Sequence, residues 1–265
     1  MPAEHGAWGM WAVPFLCAAF VAGGWNLPLL LTGLAALALF LWRGSIAAHG
    51  DWKTWNLPAH LGLAGGAALA GGVVVLFYGR YELLWLGVGG AVLFGVQEWL
   101  AGRHREHASE KRSLAEELAG VLLLSFTAPA AWIAARGHLT REGVEVWLLS
   151  ALFFLGGVLY VKYRVRGLLA HRAFPGLRER FLFAWPVFLY HFLLMAFLAC
   201  WMLLETSQSF RMAALGIAFA PGVLRAYGLL FQLGKRFPIR RLGWSEVIQS
   251  VVFATLLILA FRIVA

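Results

Sequence analysis

Arg225 is the charged side chain in this sequence that most needs a partner, because it lies inside a long apolar run. It stands two turns before the end of that run, and Pro221, one turn earlier, leaves a helix carbonyl without its donor. A charge in the hydrocarbon of a membrane costs roughly 2.5–3.5 kcal/mol on insertion scales. We therefore expect either an ion pair in a polar cavity, with Glu98 as the partner, or a guanidinium that extends to the membrane interface.

Basic residues also follow the ends of two other apolar runs. Arg43 follows one of them, and Lys162 and Arg164 close another. Guanidinium and ammonium groups hold phosphates and carboxylates through charge-assisted hydrogen bonds, without a metal. The pattern predicts a basic cavity that binds an anionic small molecule, a phosphate or a lipid head group. The candidate ligand-binding residues are Arg43, Glu98, Lys162, Arg164, Arg225 and His5.

The remaining histidines and cysteines favour structural roles. His191 lies in the middle of an apolar run, where a neutral, hydrogen-bonded side chain is favoured over a ligand or a proton carrier. No second mid-span histidine exists to complete a haem site, and the pair His104 and His107 lacks a third zinc ligand. Cys17 and Cys200 lie in apolar runs without the spacing of a zinc site or a disulfide. We predict no metal and no cofactor.

The composition is that of an integral membrane protein. Of the 265 residues, 61% are hydrophobic and 13% are charged, and the mean hydropathy is +0.75; soluble domains carry about 25% charged residues. The apolar runs are continuous over nearly ~20 residues, which predicts helices rather than the strands of a barrel. We expect an all-α bundle that forms one membrane domain over residues 1–265.

Nine apolar runs predict nine spans. They lie at about 8–25, 27–42, 57–78, 82–101, 116–135, 144–162, 181–204, 211–233 and 246–264. Alternate loops carry 16 Lys and Arg residues on one side and 5 on the other. Because such residues accumulate on the cytoplasmic side, we predict a cytoplasmic N-terminus and an external C-terminus. This bias also explains the net charge of +9 without a nucleic-acid partner.

Glycines recur in the third and fourth runs, and we expect them to form helix-packing surfaces. A glycine lets two helix backbones approach closely within a membrane. The glycines are Gly62, Gly65, Gly66, Gly71 and Gly72 in the third run and Gly87, Gly89, Gly90 and Gly95 in the fourth.

Four stretches of this sequence resemble the YwiC-like family of bacterial membrane proteins. They are EHGAWGMWAVPF at residues 4–15, SLAEELAGVLLLSFTAPAAW at 113–132, LYVKYRVR at 159–166 and RLGWSEVIQSVVF at 241–253. The resemblance runs from one end of the chain to the other. It implies a multi-pass protein of the bacterial cytoplasmic (inner) membrane and supplies no activity.

The layout is also similar, more distantly, to the UbiA prenyltransferase superfamily. That resemblance implies nine helices, a cytoplasmic N-terminus, and aspartate-rich motifs after helices two and six that hold Mg²⁺ and a prenyl diphosphate. At the matching places, residues 42–45 read Trp-Arg-Gly-Ser and residues 160–164 read Tyr-Val-Lys-Tyr-Arg, and Asp51 is the sole aspartate. Because Mg²⁺ needs oxygen ligands, we expect these cations to hold an anion directly.

Three functions therefore stay open at this point. The favoured one is a non-enzymatic membrane protein that binds an anionic ligand or a lipid head group. The second is a divergent prenyltransferase-like enzyme, which the shared layout keeps open and the missing aspartates disfavour. The third is an accessory membrane subunit of a respiratory complex or of a transporter.

Overall fold

Within the residues that the computed structural model describes, all regular structure is α-helical. These residues are 5–48, 57–106, 114–169, 174, 176–205, 209–233, 235 and 238–263. The helices in these ranges are α1 (His5–Ala22), α2 (Leu27–Ala48), α3 (Leu57–Tyr78), α4 (Glu82–Glu106), α5 (Leu114–Ser125), α6 (Thr127–Arg136), α7 (Arg141–Leu169), α8 (Leu177–Leu204), α9 (Ser209–Gln232) and α10 (Ile239–Arg262). The predicted all-α fold class is confirmed.

Most of these helices are long and apolar enough to cross a membrane. Eight stretches qualify in the described part of the chain, and α5 and α6 together form one of them, Leu114–Arg136. The first helix is apolar but shorter, over Gly6–Ala22. An α-helix needs about 20 apolar residues to span the hydrocarbon. The chain is therefore a multi-pass membrane protein, as its composition predicts.

Several helices extend further than the apolar runs indicate, α7 and α10 the furthest. Helix α7 continues two turns past residue 162 to Leu169, and α10 begins two turns before Glu246 at Ile239. In α7 no proline interrupts the chain before Pro175, and the cations of its last turns interact favourably with the negative end of the helix dipole. Lys162 and Arg164 therefore lie within a helix, whereas the end of the apolar run predicts a loop.

By its internal contacts the chain divides into two compact units, Met1–Ser150 and Ala151–Ala265. In the N-terminal unit, α1 packs on α6, α2 packs on α3, and α4 packs on α5. Small residues form part of the buried faces of α1 and α6, since Cys17, Ala18, Ala128 and Ala131 are fully buried. Small side chains let these two helices lie close together.

The turn between α1 and α2 is fixed by Asn26. Its side-chain oxygen accepts a hydrogen bond from the backbone N–H of Leu29 (2.9 Å), and its amide nitrogen donates to the carbonyl of Ala135 (3.0 Å). Gly24 lies so close to Ala135 that a Cβ there would come within 3.3 Å of the same carbonyl oxygen. One asparagine thus caps the start of α2 and ties the turn to the last turn of α6.

The predicted packing role of the glycines is confirmed for α4 only in part and is wrong for α3. A Cβ on Gly89 would meet Phe126 at 3.2 Å, and one on Gly90 would meet Leu123 at 3.8 Å. A Cβ on any α3 glycine, by contrast, would have no described neighbour within 4 Å. Helix α3 packs on α2 through other positions, which include the buried Ala67 and Val74.

The C-terminal unit is built on aromatic contacts. Helix α9 packs on both α8 and α10. The ring of Phe153 on α7 stacks on that of Phe253 on α10, with centroids 4.0 Å apart. Phe219 on α9 meets the same Phe253 ring edge-on at 5.2 Å. These rings form an apolar layer beside His191 and Arg225.

Candidate functional site

Arg225 forms an ion pair inside the C-terminal unit, and its partner is Glu246 rather than Glu98. Both terminal nitrogens of the guanidinium donate to the two carboxylate oxygens, Nη2 to Oε2 at 3.1 Å. The side chains are 16% and 23% exposed. Arg225 is thus ion-paired, but the predicted partner is wrong, since Glu98 lies exposed on α4 of the N-terminal unit.

The sequence pattern missed Glu246 because the ninth apolar run begins there. A carboxylate at the first residue of a run is typical of a helix N-terminus near water. Since α10 begins at Ile239, Glu246 instead lies two turns inside the helix, within the stretch that is apolar enough to cross a membrane. A signal was present, because a carboxylate at that depth needs a cation, and Arg225 needs an anion.

Tyr160 supports the ion pair from α7. The centre of the Arg225 guanidinium lies 4.0 Å from the centroid of the Tyr160 ring, a distance at which the ring face attracts a cation. The Tyr160 hydroxyl donates to the side-chain oxygen of Gln232 (3.0 Å). Arg225 is therefore held by a carboxylate from α10 and by an aromatic face from α7.

Arg164 and Arg180 bind the end of α9. The last four carbonyls of a helix lack a donor within it. Arg164 donates to the carbonyl of Gln232, and Arg180 donates to the carbonyl of Leu230 at 3.0 Å. This contact explains why Arg164 is buried, with 6% of it exposed. A structural role at the end of α9 is therefore part of what Arg164 does.

Further cations lie at the same end of the unit. Lys162 and Arg166 are half-buried on α7 and, four residues apart, share one side of the helix. The ring of Tyr163 meets Phe183 of α8 with centroids 5.8 Å apart, so the last turns of α7 lie beside the first turns of α8. We call Lys162, Arg164, Arg166 and Arg180 the basic end.

His191 lies beside a small internal cavity in the same unit. It is 4% exposed, and its Nδ1 lies 2.8 Å from the carbonyl oxygen of Val187. The prediction of a buried, hydrogen-bonded histidine is confirmed. The cavity measures about 20 Å³, and its lining includes Gly156, Gly157, His191, Gly222, Arg225 and Gln249.

Two adjacent glycines on α7 make room for polar groups around this cavity. A Cβ on Gly156 would come within 3.3 Å of His191 Nε2, and one on Gly157 within 3.4 Å of Glu246 Oε2. A side chain at Gly156 would press on the histidine, and one at Gly157 would touch the carboxylate. The Gly-Gly pair therefore allows polar side chains of α8 and α10 to approach the backbone of α7 closely.

In the N-terminal unit Arg43 takes part in a different polar contact. Its Nη2 donates to the side-chain oxygen of Gln97 at 2.9 Å. A Cβ on Gly120 would lie 3.0 Å from the amide nitrogen of Gln97 and 3.9 Å from Arg43 Nη2. Nearby on α2, Ser45 is within 3.3 Å of His60 Nε2. Arg43 of α2 and Gln97 of α4 thus form a polar contact beside Gly120 of α5.

The six candidate residues fall into separate groups. Arg164 and Arg225 are linked through Tyr160 and Gln232, and Lys162 lies on the same helix as Arg164. Arg43 and Glu98 belong to the N-terminal unit. His5 is the first residue of α1, and its side chain is outside the described part of the structure.

The described residues contain no group of three or more His, Cys, Asp or Glu side chains that could hold a metal ion. Asp51 and His107, and the side chain of His104, are not among those residues. The absence of a metal and of a cofactor therefore stays a prediction.

Comparisons with known proteins point to one family. The model of the family described as YwiC-like protein matches residues 1–132. A protein of Bacillus subtilis (strain 168) named Uncharacterized protein YwiC is 29% identical over 263 residues, 98% of this chain and 97% of that protein. An uncharacterized protein of Haemophilus influenzae is 26% identical over 151 residues, 57% of this chain and 54% of its own. No solved structure matches the chain, and the similarity to the UbiA superfamily stays a prediction.

Proposed function

We propose that this chain, which is similar to the YwiC-like family, is a bacterial inner-membrane protein that binds an anionic ligand at the basic end of its C-terminal unit. The ligand is a phosphate-bearing group, either the head group of an anionic lipid or a soluble phosphate. Both present the same oxygens to Lys and Arg side chains. The bacterial relatives and the many apolar helices support the location.

The observation that carries this proposal is the convergence of cations where the ends of three helices meet. Arg164 and Arg180 reach the end of α9 from α7 and α8. Between residues 159 and 180 the sequence holds six Lys or Arg residues and a single carboxylate, Glu179. The basic end therefore carries an excess of positive charge, and an anion would offset it.

Arg225 contributes less to anion binding than the sequence pattern suggests. Its charge is neutralised by Glu246 through two hydrogen bonds. We therefore assign the ligand chiefly to Lys162 and Arg166, which are half-buried, with Arg164 between them on α7. The Arg225–Glu246 pair supports the helices beneath this site.

The test compares two double variants in neutral detergent. Lys162→Gln with Arg166→Gln removes two cations of the basic end, and Arg240→Gln with Arg241→Gln removes two exposed cations at the start of α10. Thermal unfolding is recorded with inorganic phosphate, with diphosphate and with phosphatidylglycerol. A ligand at 100 times its Kd stabilises by about 2.7 kcal/mol, roughly 5–10 °C for a protein of this size.

We expect the ligand to raise the unfolding temperature by this amount in the wild type and in the α10 control, and not in the α7 variant. Protection by phosphatidylglycerol alone would identify a lipid head group, and protection by phosphate or diphosphate alone a soluble ligand. Equal protection of all three proteins would reject the basic end as the site. Turnover of a labelled prenyl diphosphate in the presence of Mg²⁺ would favour the enzyme instead.

We also propose a cytoplasmic N-terminus and an external C-terminus. Of the Lys and Arg residues, 16 fall in loops or helix ends on one side and 5 on the other, and the richer side is cytoplasmic by the positive-inside rule. Alkaline phosphatase fused after Ala265 should be active, and a green fluorescent protein at the same position should be dark. The opposite result would reverse the orientation and place the basic end outside.

A further inference from the structure

The internal cavity of the C-terminal unit contains buried polar atoms that lack a hydrogen-bond partner. Two of its lining side chains, Arg225 and Gln249, each hold one such atom, the Nε of Arg225 and the Oε1 of Gln249. Leaving a buried donor or acceptor unsatisfied is unfavourable, because the group has lost its hydrogen bonds to water. A ligand that satisfies both atoms would therefore bind favourably.

His191 adds an acceptor to the same cavity. Its Nδ1 must donate to Val187, because a carbonyl oxygen only accepts. In the neutral ring Nε2 then has a lone pair and no proton. Gly156 leaves the space beside this nitrogen open, since a Cβ there would lie only 3.3 Å from it.

We propose that this cavity binds water, one or two molecules that accept from Arg225 Nε and donate to Gln249 Oε1 and His191 Nε2. A buried water typically makes about three hydrogen bonds to otherwise unsatisfied groups and needs about 10–15 Å³ of cavity. The cavity measures about 20 Å³. The ligand must both donate and accept hydrogen bonds. An anion would find only one donor in this cavity, and a cation would be repelled by Arg225.

This site is distinct from the anion site at the basic end and does not depend on it. Its physical consequence is that Arg225 is held on three sides. Glu246 binds the two terminal nitrogens, Tyr160 covers one face, and water binds Nε. The cavity is thus a hydrated site between helices that are apolar enough to span a membrane.

Two glycines of α9 provide a matched test. Gly222 lines the cavity, whereas Gly216 does not, and a Cβ at either position has no described atom within 4 Å. Each Gly→Ala change adds one methyl group and raises helix propensity equally. Because Gly222 lines the cavity, Gly222→Ala should narrow it, and Gly216→Ala should not.

The readout is water-edited solid-state NMR of ¹⁵N-histidine-labelled protein in liposomes, with the His191 signal identified by its loss in His191→Gln. We expect transfer from water protons to His191 in the wild type and in Gly216→Ala, and its loss in Gly222→Ala. If Gly222→Ala fails to fold, Gln249→Met, which removes the acceptor, should lose the transfer. A wild-type protein without transfer, or a Gly222→Ala or Gln249→Met variant that retains it, would overturn the proposal.

Discussion

Arg43 of the N-terminal unit and Arg225 of the C-terminal unit make different contacts. In the N-terminal unit Arg43 donates to the neutral amide of Gln97, near the end of α2. In the C-terminal unit Arg225, two turns inside α9, forms a two-point ion pair with the carboxylate of Glu246. The depth of the cation along its helix distinguishes the two cases. A cation well inside a span needs a countercharge, whereas one near the helix end can reach water or head groups.

The two units also differ in the side chains that fill their interiors. The buried faces of α1 and α6 combine small residues such as Cys17, Ala18 and Ala131 with the large side chain of Trp132. The C-terminal unit instead surrounds the ion pair with rings and leaves a cavity beside it. In the C-terminal unit two adjacent glycines of α7 lie against His191 and Glu246, so polar side chains surround the cavity there.

The strongest test of this comparison is Glu246→Gln. Removing one partner of a buried ion pair leaves an uncompensated charge, which costs about 3–5 kcal/mol. Replacing both residues, Arg225→Leu with Glu246→Leu, should restore most of that stability, because an apolar pair needs no partner. The measurement is the free energy of unfolding in mixed detergent–SDS micelles. Losses that simply add in the double variant would mean that the two side chains do not act as a pair.

The corresponding change in the N-terminal unit is Gln97→Leu. It removes the acceptor of Arg43 Nη2, and a hydrogen bond to a charged group contributes about 1.5–3 kcal/mol. We expect a smaller loss than for Glu246→Gln in the same unfolding assay, since no carboxylate charge is removed. A loss as large as that of Glu246→Gln would remove the distinction between the two units.

The smallest effect is expected from Tyr160→Phe. This change deletes the hydroxyl that donates to Gln232 and keeps the ring beneath Arg225, so the loss should be about 1 kcal/mol. Tyr160→Leu removes the ring as well and should cost more. The matched control is Thr127→Val, which deletes a hydroxyl that donates to Trp11 in the N-terminal unit (2.9 Å). If Tyr160→Phe and Tyr160→Leu destabilise equally, the aromatic face adds nothing to the ion pair.

Several features could be predicted from the sequence because they depend on local physics. The third helix begins and ends at the predicted residues, Leu57 and Tyr78, since hydropathy and flanking polar residues set its limits. The buried His191 was also predicted. The length of α7 was not, because the pattern stopped at the first cations, and cations at a helix end continue a helix rather than break it.

What the sequence determined by itself is the class of protein: a chain this apolar, with continuous runs of about 20 residues, folds as membrane helices. It also indicated that Arg225 would need a countercharge. Only the tertiary structure decided that Glu246 supplies it, that Arg164 binds the end of α9, and that two glycines of α7 make room for His191 and Glu246. The physical reason is that hydropathy is a sum along the chain, whereas pairing depends on which helix faces meet in space.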